Sequence, residues 1–147
     1  MKNNLTGKVS VSIQADAAKV WDALTQPSII KQYFYGTDTI TDWKERSPII
    51  FKGEWEGKSY EDKGTILNVE PGKLLRYTYW SSLSGIEDKP ENYIPVTYAL
   101  AEGNNKTTVT VTQENIPNEK MKSHSEKNWK NVLSNLKKLL EKRSIHF

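Results

Sequence analysis

The chain has 147 residues, a length that fits one domain, so we expect residues 1–147 to form a single domain. A net charge of +3, with 5 Trp, 7 Tyr and 3 Phe along the chain, argues against intrinsic disorder. The absence of cysteine excludes disulfide frameworks, zinc–thiolate sites, iron–sulfur clusters and cysteine nucleophiles. No apolar run reaches the roughly 18 residues of a membrane span. Residues 1–7 lack the apolar core of a signal peptide, so we expect a cytoplasmic protein.

The N-terminal elements are a strand and two short helices. Apolar and polar residues alternate over 6–14, which predicts a half-buried strand. Asp16 fits the N-cap of a helix of about two turns. Pro27 fits the first turn of a second short helix, which carries Phe34 and stops at Gly36.

The middle of the chain reads as an antiparallel meander. Turn signals separate six predicted strands, which lie near residues 38–43, 48–56, 59–70, 73–81, 93–102 and 106–115. Alternation places Leu67 and Val69 on one side of their strand. It likewise places Tyr77, Tyr79 and Tyr98 on apolar sides of theirs, so the sheet presents one tyrosine-rich face.

The last segment changes to helical periodicity. Apolar residues that include Trp129 and Leu133 recur at three and four residues and form one stripe. Ser123 and Glu126 have the spacing of a capping box, while residues 117–118 offer an earlier start, and the sequence leaves both open. The helix carries a balance of +5 over residues 118–147, typical of a solvated face and a weaker indication of a nucleic-acid or lipid surface.

These elements predict an α+β fold in which a curved antiparallel sheet of about six or seven strands wraps a long C-terminal helix. Such a sheet tends to leave a gap at one end, which would be a mostly apolar pocket. We expect that pocket between the sheet and the C-terminal helix, bounded by the short helices.

The chain resembles the family of activators of heat-shock protein 90 ATPase homologues, within the START-related and birch-pollen-allergen-like proteins of helix-grip fold. The resemblance covers residues 9–141. It is carried by IQADAAKVWDALT at 13–25, PSIIKQYF at 27–34, GTILNVEPGKLLRYTY at 64–79, and the apolar stripe after Trp129. Tyr33 stands where the family often has Trp. The resemblance implies the helix-grip fold, and for function it implies possible contact with a chaperone of the heat-shock protein 90 type.

The sequence contains few residues that could form a metal site or a catalytic motif. His124 and His146 stand 22 residues apart, so we expect no metal site and no cofactor. Helix-start residues explain Ser123 beside His124 without a catalytic triad. Glu54 and Glu56 would point the same way on one strand; the favoured interpretation is that they face water while Trp55 points inward.

The aromatic face is the strongest functional candidate, either as a packed core or as a pocket wall. We expect a small apolar or amphipathic ligand there, with a chaperone contact as the alternative function. The resemblance to helix-grip proteins also implies a third function, a pocket enzyme of cyclase or aromatase type with Tyr77 or Tyr98 as its acid. It ranks last because the sequence offers no distinctive catalytic set. We expect no nucleic-acid partner, because the helix aromatic lies on the buried stripe. The predicted wall residues are Phe34, Trp55, Leu67, Tyr77, Tyr79, Tyr98, Trp129 and Leu133.

Overall fold

The structure is a computed structural model that describes residues 5–82 and 85–144; the side chains of Trp55 and of residues 142–144 lie outside that description. The strands are β1 (Leu5–Ile13), β2 (Asp38–Ile40), β3 (Pro48–Trp55), β4 (Lys58–Glu70), β5 (Leu74–Tyr79), β6 (Ile94–Gly103) and β7 (Lys106–Ile116). The helices are α1 (Ala17–Thr25), α2 (Pro27–Tyr33) and α3 (Glu119–Ser144). Within the described residues, the seven strands form one curved antiparallel sheet in the order β1-β7-β6-β5-β4-β3-β2. The predicted α+β helix-grip architecture is confirmed.

Local sequence explains where the helices begin. The Asp16 carboxylate accepts a hydrogen bond from the Lys19 backbone N–H at 2.9 Å and caps α1. Asn118 caps α3 in the same way, through the Met121 N–H at 2.9 Å. The earlier of the two candidate starts for α3 is therefore correct. Glu126 does not close a capping box, because its carboxylate accepts the backbone N–H of Lys8 at 3.0 Å instead.

Helix α3 lies along β1, an outer strand of the sheet, and also contacts β7 and α2. Glu126 of α3 is bonded to the backbone of β1, and so is Lys137, whose ammonium donates to the Ser12 carbonyl at 2.7 Å. Side chains of α3 thus satisfy backbone groups on a strand edge that would otherwise be open. Among the helices of residues 5–82 and 85–144, none combines the length and apolar character that crossing a membrane requires.

A β-bulge in β4 changes one predicted face. The register of β4 against β5 shifts between Ile66 and Asn68, so Leu67 is an extra residue on its strand. Val69 then packs against the core, whereas Leu67 lines a groove on the opposite face of the sheet. The prediction that Leu67 and Val69 share one face is wrong, because the bulge interrupts the two-residue period.

Candidate functional site

A row of aromatic rings crosses the inner face of the sheet. Phe51 of β3 lies 5.6 Å from Tyr77 of β5, between ring centroids, and Tyr77 lies 6.1 Å from Tyr98 of β6. Trp129 of α3 meets Tyr98 edge-on at 5.7 Å and meets Phe34, at the end of α2, at 5.7 Å. The structure therefore brings together four of the predicted wall residues from four separate elements, in the edge-to-face or tilted geometries that aromatic pairs prefer.

The tyrosine hydroxyls of this row are held in their neutral form. Burial raises the pKa of Tyr77 to about 12, against a smaller lowering by its hydrogen bond with Tyr98. Burial also raises the pKa of Tyr98 well above its usual value, and Tyr77 adds to the effect. Tyr33 is buried as well, and its hydroxyl donates to the Ala23 carbonyl at 2.8 Å. At neutral pH these phenols serve as hydrogen-bonding groups, not as charged ones.

Tyr79 lies at the far end of the row, 5.8 Å from Phe51 between ring centroids. Its hydroxyl donates to the buried carboxylate of Asp62 at 2.6 Å. Burial and this neighbouring carboxylate raise the pKa of Tyr79 well above its usual value. Asp62 also accepts the Ser82 backbone N–H at 2.9 Å, so the pair is a closed hydrogen-bonded unit at the edge of the aromatic row.

A cavity of about 20 Å³ lies beside the aromatic row. This is enough for one water molecule, which requires roughly 10–15 Å³, and far below the roughly 300–1,000 Å³ of small-molecule pockets. The cavity is lined by Leu24, Ile30, Tyr33, Phe34, Thr39, Trp43, Ile49, Phe51, Leu75, Tyr77 and Tyr98. Its walls come from α1, α2, the β2–β3 region, β5 and β6. It therefore lies under the two short helices, displaced from the predicted position against the C-terminal helix.

Thr39 gives this cavity an unusual polar group. The residue is 5% exposed, and its Oγ1 is a buried atom without a hydrogen-bond partner within the described residues. Leaving a buried hydroxyl unpaired costs about 1–3 kcal/mol. Sequence reasoning missed Thr39, because a threonine in a three-residue strand carries no signal that distinguishes it from a surface threonine.

Phe34 and Trp43 form the less buried part of the cavity wall. Both are only partly buried, while most of the other lining side chains are core residues. Trp43 lies in the 41–47 loop, where the predicted strand 38–43 ends early at Ile40, and its backbone φ is +62°. Tyr35, directly after Phe34, has φ +54°. Bulky residues rarely adopt this left-handed conformation, so the backbone is strained at Trp43 itself and at the residue that follows Phe34.

The other predicted wall residues lie elsewhere. Leu133 is a buried core residue of α3, and Trp129 packs behind Phe34 and Tyr98; neither lines the cavity. The Trp55 side chain lies outside the described residues. Phe51, a wall residue that the prediction missed, follows from alternation with Ile49 along β3.

The outer groove that contains Leu67 is larger, about 530 Å³, and differs in chemistry. Lys63 and Asp88 form an ion pair across it at 2.7 Å, and the Tyr93 hydroxyl donates to Asp88 at 2.6 Å. Its charged groups are thus already paired with each other.

The titratable candidates from the sequence analysis do not converge. Glu54 and Glu56 are exposed, as the favoured interpretation predicted. His124 is exposed on α3, and His146 lies outside the described residues. Within residues 5–82 and 85–144, no three His, Asp or Glu side chains group closely enough to hold a metal ion.

Comparison with known proteins places this geometry in context. The chain is 45% identical to the protein ChR145 from Cytophaga hutchinsonii, whose solution structure matches with a TM-score of 0.85 over 99% of each chain. The Aha1 dimer from Colwellia psychrerythraea is 20% identical, over 93% of this chain and 96% of that one, with a TM-score of 0.74. CalU16 from Micromonospora echinospora is also 20% identical, over 92% and 83%, with a TM-score of 0.67. The last two likenesses show the fold alone. No curated protein matches the sequence.

A family model described as activator of Hsp90 ATPase homolog 1-like protein matches residues 14–141. These residues run from the turn before α1 into the last turns of α3, so the match includes every residue that lines the cavity. The chain therefore belongs to the family of activator of Hsp90 ATPase homolog 1-like proteins.

Proposed function

We propose that this protein binds a small apolar or amphipathic molecule in the cavity under α1 and α2. The observation that carries the proposal is the buried Thr39 hydroxyl, which lacks a partner and lies in a wall otherwise made of aliphatic and aromatic side chains. Pockets for small molecules combine an apolar lining with few polar groups that fix the ligand's orientation.

The present cavity volume requires that the wall open for a ligand. Phe34 and Trp43 are the side chains that would move, because both are half-buried, and the backbone is strained at Trp43 and at Tyr35, next to Phe34. Ordered neighbours on the sheet, such as Ile49 at 1% exposed, would stay in place. Binding would be driven mainly by apolar burial, worth about 25 cal/mol per Å² removed from water.

The test uses freshly purified protein, first by native mass spectrometry against the denatured mass, then by titration with the neutral dye N-phenyl-1-naphthylamine. We expect either a retained mass that is lost on denaturation or a saturable rise in dye fluorescence. Ile49→Phe, which fills the cavity, should weaken dye binding at least about tenfold. Ile116→Phe is the matched control, because Ile116 is equally buried but lies outside the cavity.

Two results would overturn the proposal. One is a wild-type protein that carries no extra mass and shows no saturable dye binding. The other is dye binding by Ile49→Phe as tight as by the wild type, because the dye would then bind outside the cavity.

A second candidate function is contact with a chaperone of the heat-shock protein 90 type. The observation in its favour is the charge distribution on α3. Glu126 and Glu141 are turned onto the backbone at β1, while the exposed lysines form a basic face that suits an acidic partner. These lysines are Lys120, Lys127, Lys130 and Lys138. The test is the ATPase rate of the chaperone from the same organism. We expect a change at low salt that fades at high salt, and an unchanged rate would refute this function.

A further inference from the structure

We infer that the cavity selects uncharged ligands that carry one hydrogen-bonding group, and that the Thr39 hydroxyl is the partner of this group. The inference rests on the proposed function. It adds the chemical class of ligand and the residue that determines it.

The first step concerns charge. The lining residues of the cavity are all neutral, and they supply neither a cation nor a carboxylate to a ligand. A buried ion without a partner is costly. A carboxylate or an ammonium would therefore lose more hydration free energy on leaving water than its contacts with the cavity wall would restore. The nearby ion pair between Lys31 and Asp38, at 3.0 Å, is at the surface and closed on itself.

The second step concerns hydrogen bonds. The Tyr33 hydroxyl donates to the Ala23 carbonyl at 2.8 Å, and the rings of Tyr77 and Tyr98 lie beside each other, 6.1 Å apart between centroids. Thr39 is left, among the described lining residues, as the buried hydroxyl that still lacks a partner. A ligand that brings one hydroxyl or carbonyl to Thr39 removes this deficit, whereas a purely apolar ligand leaves it in place.

The third step concerns protonation. The phenols of Tyr77 and Tyr98 titrate well above neutral pH, so the wall stays neutral throughout the physiological range. Selection against anions should therefore not depend on pH between 6 and 9, unless the ligand itself titrates.

The experiment compares three probes on one ring: toluene, benzyl alcohol and benzoate at pH 7. Binding is followed through the methyl resonances of four lining residues, Leu24, Ile30, Ile49 and Leu75. The methyl resonances of Ile116 and Leu136, which lie outside the cavity, serve as internal controls. We expect benzoate to bind at least about tenfold more weakly than benzyl alcohol.

Two variants isolate the role of Thr39. Thr39→Val should weaken the binding of benzyl alcohol about fivefold and change the affinity for toluene by less than about twofold. Thr39→Ser keeps the hydroxyl and should keep the preference for benzyl alcohol over toluene.

The outcomes separate the two proposals. If none of the three probes shifts the methyl resonances of the lining residues, the proposal of ligand binding in this cavity and the proposal of selection by Thr39 are both wrong. If benzoate binds as tightly as benzyl alcohol, or Thr39→Val weakens both neutral probes equally, the cavity still binds ligands and the selection by Thr39 is wrong.

Discussion

The carboxylate of Glu141, in the last turns of α3, accepts a hydrogen bond from the backbone N–H of Gln14 at 3.0 Å. Lys137 donates to the same carboxylate oxygen at 2.6 Å. The hydrogen bond from Lys137 is the largest of the effects that lower the pKa of Glu141, and the hydrogen bond from the Gln14 amide is the next largest. These contacts thus link the C-terminal helix α3 to the backbone at the end of β1.

Replacing this carboxylate should weaken the protein in a pH-dependent way. Because the folded-state pKa of Glu141 lies below its unfolded value, its stabilisation is present above about pH 4.3 and is lost as the pH falls. Glu141→Gln should cost about 1 kcal/mol in the free energy of unfolding at pH 7 and little at pH 3. Urea denaturation at both pH values measures this, with the exposed Glu56→Gln as control. An equal cost at pH 3 and pH 7 would contradict the assignment.

Gly64 should not tolerate a side chain. A Cβ at this position would lie 1.6 Å from the backbone carbonyl oxygen of Thr78, on the neighbouring strand. Gly64→Ala must therefore push β4 and β5 apart, and we expect a loss of more than about 3 kcal/mol or failure to fold. Gly103→Ala is the matched control, because nothing lies within 4 Å of a Cβ there. Soluble yield and urea midpoints measure both; a stable Gly64→Ala protein would show that the strands separate there at little cost.

The two buried threonines should respond oppositely to loss of their hydroxyls. Thr107 is fully buried and donates to the Ala15 carbonyl at 2.8 Å, so Thr107→Val should cost about 1–2 kcal/mol. Thr39 has no such partner, so Thr39→Val should leave the free energy of unfolding unchanged or raise it by about 1 kcal/mol. Thermal and urea unfolding of both variants measure the difference. If Thr39→Val is destabilised as much as Thr107→Val, a bound water or another group already satisfies the Thr39 hydroxyl.

Tyr77 should make the fold sensitive to alkali. Its pKa is raised from 10.0 to about 12 by burial, so the unfolded chain loses its proton first as the pH rises. Stability should therefore fall between pH 10 and pH 12, with about 2–3 kcal/mol of the loss due to Tyr77. Tyr77→Phe should show a shallower decline over the same range, whatever its stability at pH 8. Urea midpoints at pH 8, 10 and 11, with phenolate absorbance at 295 nm, measure this; parallel declines would disprove the role of Tyr77.

The order and type of the elements could be predicted from the sequence, because period and turn chemistry are local. Asp16, Pro27 and the stripe through Trp129 mark their helices directly. The bulge at Leu67 could not be predicted, because it depends on how β4 registers against β5, and strand register is a tertiary property.

The site was predicted less completely than the fold. Alternation placed Tyr77 and Tyr98 on the inner face, and the helical stripe brought Trp129 to them. Thr39 and Trp43 reach the cavity from a three-residue strand and a loop. Neither segment is long enough or regular enough to show a periodic pattern of apolar residues in the sequence. The displacement of the cavity away from α3 follows from side-chain packing, which has no counterpart in sequence spacing.

The pairing of β1 with β7 has a consequence for synthesis. Val9 and Val111 are register partners, so the first strand leaves the ribosome about 100 residues before the strand that completes its ladder. At about 5–20 residues per second this delay lasts about 5–20 s. During that time the apolar side of β1 is exposed in the nascent chain, and a chain that stops before β7 leaves β1 without the strand that pairs with it. Completion of this sheet therefore waits for the last third of translation.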